Sequence, residues 1–144
     1  MKFRKNTRLK SYDYSSDGFY FVTVCTYCRK PYLEKVAVKE VAELAQLGNL
    51  PGVHVDYFVV MPTHIHFILR LDSSKYTLFQ IVRGFKSKTT VFVNKTAEQA
   101  RRLHRLWQPN YYEHVIRSEK ALLNIRRYIE NNLETEKLNW KTLD

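Results

Sequence analysis

Two histidines separated by a single residue, His64 and His66, sit in the run VVMPTHIHFIL over 59–69, where they alternate with apolar side chains. On a β-strand this alternation sends both imidazoles to one face and Ile65, Phe67 and Leu69 to the other. Two imidazoles side by side on a rigid sheet make half of a metal site. Read alone, a His-x-His pair is more often the polar face of an antiparallel strand, so the companions decide. Near the carboxyl end, Tyr128 and Asn132 are four residues apart, which places a phenol and an amide on one helix face. Tyr111 and Tyr112 are rival phenols; in a strand they must face opposite sides, and neither has an amide one turn away. His104 and His114 are further ring nitrogens, better suited to structural or surface roles. Cys25 and Cys28 are the only cysteines. With no second pair to complete a zinc knuckle and no helix start for a redox motif, free thiols are expected.

The elements that must carry these groups follow from periodicity. The aromatic and β-branched run FYFVTVCTY over 19–27, after the turn signal Ser15-Ser16-Asp17-Gly18, predicts a strand. Apolar spacing ending at Gly48 predicts a helix over 36–47. Segments 53–60 and 64–71 predict two strands, and the short Met61-Pro62-Thr63 connection makes them antiparallel. Thr77 and Gln80 have capping-box spacing ahead of Leu78, Ile81, Val82, Phe85, Thr89 and Phe92, a second helix. Segment 111–116 predicts a fourth strand. Ser118 caps a last helix with Leu122, Ile125, Ile129 and Leu133 on its apolar stripe. This order is a split βαβ pattern of the ferredoxin-like α+β class. It implies a four- to five-stranded antiparallel sheet with helices on one face and the other face open.

The 144 residues suit one domain over 1–144, with 1–15 as a basic N-terminal arm. Lys and Arg total 24 against 14 Asp and Glu, a formal charge of +10. Five of these cations, Lys2, Arg4, Lys5, Arg8 and Lys10, fall in the first ten residues. Such an excess favours a polyanionic partner, nucleic acid before membrane, because no basic amphipathic helix with an exposed apolar face stands out. Arg83, Lys86 and Lys88 add a cationic outer face to the second helix. No apolar run of about 18 residues and no secretory leader are present, so a cytoplasmic location is expected.

Taken in order, several segments resemble the motifs of the IS200-like tyrosine transposases. They are YSSDGFYFVT over 14–23, the His64-Ile65-His66 strand after Val60-Met61-Pro62, IVRGFKSK over 81–88, WQPNYYEHVIR over 107–117 and RYIENN over 127–132. The likeness is greatest to the REP-associated branch, single-domain members of the HUH nuclease superfamily. It implies His64, His66 and Asn132 as ligands of a divalent metal, Mg²⁺ or Mn²⁺, and Tyr128 as nucleophile. It also implies a single-stranded DNA partner with a hairpin, bound through Arg4, Lys5, Arg8, Arg83, Lys86 and Lys88, and a monomer or homodimer. The chain departs from the family pattern at Thr63, where asparagine is usual, and at Leu133, where proline is usual; the second change bears on Asn132 as a ligand.

The expected activity is therefore metal-dependent cleavage and transfer of single-stranded DNA through a 5′-phosphotyrosine. Such chemistry suits a phenol, which leaves more readily than an alkoxide and so preserves the phosphoester for rejoining. The alternative is a non-catalytic single-stranded DNA or RNA binding module using an open RRM-like sheet. A β-barrel oxygenase carrying His-x-His is disfavoured by three amphipathic helices and only four glycines.

Overall fold

The computed structural model describes residues 17–34, 47–96 and 105–131. Four strands, β1 (Gly18–Cys25), β2 (Val53–Met61), β3 (His64–Leu71) and β4 (Tyr112–Ile116), form one sheet in the order β2-β3-β1-β4. Every pairing is antiparallel. Among the described residues two long helices accompany it, α1 (Leu78–Thr96) and α2 (Glu119–Asn131). The α+β, split βαβ architecture read from the sequence is thus present, with four strands. The predicted helix over 36–47 lies outside the described residues except for Leu47, which opens a short 3-10 turn, Leu47–Asn49.

Local signals act as expected at the helix starts. The Thr77 backbone N–H donates to Gln80 Oε1 at 3.0 Å and the Gln80 N–H donates to Thr77 Oγ1 at 3.2 Å, a reciprocal capping box. Ser118 Oγ accepts from the Ala121 N–H at 3.0 Å, capping α2. Gly52 has φ +76°, and a Cβ there would stand 2.5 Å from the Asp72 carbonyl oxygen, so this tight crossing admits no side chain without displacement.

The helices do not share one face, which corrects the sequence expectation. One core packs Tyr20, Val22 and Val24 of β1 and Ile65, Phe67 and Leu69 of β3 with Leu78, Ile81, Val82 and Phe85 of α1. The other packs Phe21 and Ile68 with Leu122, Ile125, Tyr128 and Ile129 of α2. The reason is that β1 is apolar at both parities and β3 adds Ile68 to its histidine-bearing face, so each face of the sheet carries apolar surface, and the α2 stripe covers the second. Full burial of a side chain such as Ile125 contributes about 1.5–3 kcal/mol to that docking. The face expected to lie open is therefore partly roofed by α2.

A β-bulge completes the arrangement. Pairing with β3 shifts between Val55, opposite Leu69, and Tyr57, opposite Ile68, so Asp56 is an extra residue. Beyond it Tyr57 and Val59 turn to the α2 core while Phe58 and Val60 turn to the α1 core.

β1 ends at Cys25, two residues earlier than predicted, and the chain enters a 3-10 turn, Tyr27–Arg29. Cys28 and Arg29 both adopt left-handed backbone conformations, with φ 56° and 55°. Neither cysteine is in a disulfide; Cys25 is buried and Cys28 half-buried.

Candidate active site

His64 and His66 emerge from β3 on the face that α2 covers. Their ring centroids are 4.6 Å apart, edge to face. Both are buried, at 3% and 6% exposure, which is unusual for polar residues and marks them as part of an interior arrangement. Each ring is held at Nδ1 by a threonine hydroxyl. Thr23 Oγ1 lies 2.8 Å from His66 Nδ1, and Thr63 Oγ1 lies 3.0 Å from His64 Nδ1. Thr23 faces His66 because the two are register partners on adjacent strands. Phe21 packs beside the same imidazole with centroids 5.3 Å apart.

Burial, together with the neighbouring His64 and the positive charge of Arg29, pushes the His66 pKa down to about 3. The ring is therefore neutral at physiological pH, the form in which imidazole donates a lone pair.

Tyr128 arrives from α2. It is buried, and its ring centroid is 6.2 Å from that of His66 at a steep interplanar angle of 76°. The parity of α2 produces this approach, since Ile125 and Ile129 seat the helix on Phe21 and Ile68 while Tyr128 overhangs the next row of the sheet. Polar contacts tie the outer side of the helix to the bulged edge strand. Arg126 Nε and Nη2 donate to Asp56 Oδ2 and Oδ1 at 2.8 and 2.5 Å, and the Tyr57 hydroxyl donates to Glu130 Oε1. The bond to Asp56 holds the Arg126 pKa above its ordinary value, and the bond to Glu130 raises that of Tyr57.

The other predicted residues divide. Tyr111 is buried against the α1 core, on the opposite side of the sheet from the histidines. Tyr112 shares their face, opposite Thr23, but is separated from His66 by that residue's strand. His114 lies opposite Phe21 and is half-buried. Among the described residues no group of three or more His, Cys, Asp and Glu gathers around one point. Asn132, His104 and Leu133, like Arg4, Lys5 and Arg8, lie outside the described residues.

The cationic face of α1 is not uniform. Arg83 and Lys88 are exposed, whereas Lys86 is half-buried and donates from Nζ to the carbonyl oxygens of Gln108 at 3.1 Å and Asn110 at 2.6 Å. Burial lowers its pKa to about 8. Lys86 thus fastens the segment leading into β4. A second tie there is Trp107 Nε1 donating to Thr89 Oγ1 at 2.9 Å.

Thr23, Asp56 and Arg126 went unnoticed in the sequence. Thr23 left one signal, a lone threonine in the largely apolar run FYFVTVC over 19–25. The bulge at Asp56 left none. For a divalent cation the donor set is chemically apt: two adjacent imidazoles, that of His66 neutral, each with Nδ1 secured, which directs Nε2 to the ligand role.

No helix among the described residues is long and apolar enough to cross a membrane. Comparison with known proteins agrees with the geometry. The family model for IS200-like transposases matches residues 15–132. An uncharacterized protein of Haemophilus influenzae (strain ATCC 51907 / DSM 11121 / KW20 / Rd) is 34% identical, with 90% of this chain and 87% of the relative covered. Two solved structures share the fold. One is a REP-associated tyrosine transposase bound to a REP hairpin, with TM-score 0.62, 20% identity, and coverage of 88% of this chain and 75% of that one. The other is a Deinococcus radiodurans R1 protein described as a transposase, with TM-score 0.59, 19% identity, and coverage of 87% and 96%. With the family match running across almost the whole sheet and both helices, this chain belongs to the IS200-like transposase family.

Proposed function

We propose that this transposase-family protein is a metal-dependent single-stranded DNA endonuclease and strand transferase that binds a DNA hairpin and cuts the adjoining single strand with Tyr128. The observation that carries the reading is the 6.2 Å approach of the Tyr128 ring to His66 on the face where both histidines are buried. A hydrolytic metalloenzyme would need no phenol there, and a passive binding sheet would need no buried imidazole pair beneath a helix.

Oη of Tyr128 attacks the scissile phosphorus as the P–O3′ bond breaks. The 5′ phosphate remains on the tyrosine, and the phenolic proton is balanced by protonation of the departing 3′ oxygen. Attack by another 3′ hydroxyl reverses these bond changes and rejoins DNA, so no nucleotide cofactor is consumed. His64 and His66, with Asn132, would hold Mg²⁺ or Mn²⁺, which when bound neutralises a non-bridging phosphate oxygen and the charge growing on the leaving oxygen. Thr23 and Thr63 hold the two rings at Nδ1 throughout. Arg83 and Lys88, with Arg4, Lys5 and Arg8 of the arm, contact hairpin phosphates; Lys86 is engaged by backbone carbonyls. The REP hairpin in the structural relative supports a hairpin as the DNA form.

The test is Tyr128→Phe assayed with Mn²⁺ and a hairpin oligonucleotide, carrying a single-stranded flank, taken from the DNA adjoining the gene. Hairpin affinity should stay within about twofold while the covalent protein–DNA adduct on a denaturing gel disappears. An adduct that persists would transfer the nucleophile to another residue, Tyr112 being next by position.

A further inference from the structure

We propose that Arg29 is a phosphate-binding residue of this site, its guanidinium contacting the backbone of the DNA strand drawn to His64 and His66. The inference rests on the strand-transferase reading and adds a residue to it.

Three observations point there. First, the backbone is held in an uncommon conformation to place this side chain. Cys28 and Arg29 have consecutive left-handed φ values of 56° and 55°, a geometry that non-glycine residues keep only where the surroundings enforce it.

Second, the enforcing contacts come from the histidine turn itself. The Thr26 N–H donates to the Thr63 carbonyl at 2.9 Å, and Thr26 Oγ1 donates to that same carbonyl at 3.0 Å and to the Lys30 carbonyl at 2.7 Å. The Arg29 N–H closes back on the Thr26 carbonyl at 3.0 Å, and the Leu33 N–H reaches the Pro62 carbonyl at 3.1 Å. The 26–30 turn is thus built onto the Pro62-Thr63 connection that delivers His64.

Third, the guanidinium lies at the histidines. Arg29 Nη1 is 3.0 Å from Cys25 Sγ, and Cys25 is the register partner of His64. Arg29 is exposed, so the cation stands at the rim of the site where a strand would enter. The planar guanidinium fork matches the oxygens of a phosphodiester.

The experiment uses Arg29→Met and Arg29→Lys in the intact chain. In a Tyr128→Phe background, Kd is measured against salt for the hairpin with and without its single-stranded flank. Loss of one phosphate contact should flatten the slope of log affinity against log salt by about 0.7 for the flanked oligonucleotide, leaving the bare hairpin unchanged. With Tyr128 present, Arg29→Met should form adduct about a hundredfold more slowly. Arg29→Lys should restore the salt slope and part of the rate. Melting temperatures near wild type exclude a folding defect. An equal slope change on both oligonucleotides, no change on either, or wild-type cleavage by Arg29→Met would overturn the assignment while leaving the nuclease reading intact. Absence of cleavage by the wild-type chain would overturn both.

Discussion

The hydrogen bond between Thr23 and His66 offers the sharpest test of how this sheet prepares its imidazoles. Thr23→Val exchanges a hydroxyl for a methyl at nearly constant volume, so packing against Phe21 and β3 is retained and only the polar contact is lost. Both partners are buried, at 8% and 6% exposure, and the contact is 2.8 Å, so water cannot readily replace the missing oxygen. A buried ring nitrogen left without its partner costs about 1–3 kcal/mol. For a domain of this size that corresponds to a melting point lower by about 3–9 °C. The same change frees the imidazole to adopt either tautomer and to tilt. Affinity for Mn²⁺ should fall about 10–100-fold, the usual effect of removing a group that orients a histidine ligand. Thr23→Ser retains the oxygen and should recover most of both losses. Isothermal titration of metal-stripped protein with Mn²⁺, paired with calorimetric melting, reads the two quantities separately. A lower melting point with unchanged Mn²⁺ affinity would refute the orienting role and leave Thr23 a residue of the fold alone.

Asp56→Asn removes the charge from the bidentate contact with Arg126 and should loosen α2 by about 1–2 kcal/mol, seen as faster amide exchange over 121–131 with β1 and β3 unaffected. Unchanged exchange would show that the apolar stripe alone seats the helix. The His66 pKa of about 3 lies below the 6.5 of an unfolded histidine, so its contribution to stability is complete above pH 6.5 and declines as pH falls toward 3. In chelator-treated protein this amounts to about 3 kcal/mol between pH 7.5 and 4.5. Denaturant titrations should find that His66→Gln loses this part of the pH dependence; equal slopes in both proteins would contradict a buried neutral ring. Gly52→Ala should lower stability by about 2 kcal/mol or more, because a left-handed φ of +76° and the Asp72 carbonyl leave no room for Cβ. A thermal midpoint within a degree of wild type would mean that this crossing relaxes freely.

Much of this protein is written in local pattern. Alternation gave the two histidines a common strand face; the Thr77 and Ser118 caps marked where α1 and α2 begin, and the short turn at Pro62 made β2 and β3 antiparallel. Each of these depends on neighbours within a few residues, and such short-range geometry survives in any context that lets the segment fold. The pairing of Tyr128 with the histidines, by contrast, was available only through family resemblance, since nothing in residues 119–131 states which sheet face the helix will cover.

The tertiary structure decided three matters that pattern could not. β1 is apolar at both parities while β3 alternates, so periodicity alone does not say which helix covers which face, and α2 takes the face opposite α1 because Phe21 and Ile68 are otherwise bare. The bulge at Asp56 inverts the inside and outside of β2, and a single unpaired residue carries no signature in a run that alternates on either side of it. Lys86 and Arg83 look alike in sequence, yet only Lys86 meets the carbonyls of a segment more than twenty residues away. Sequence periodicity fixes which residues can face together. Which of those faces meet depends on how distant segments divide the buried area between them.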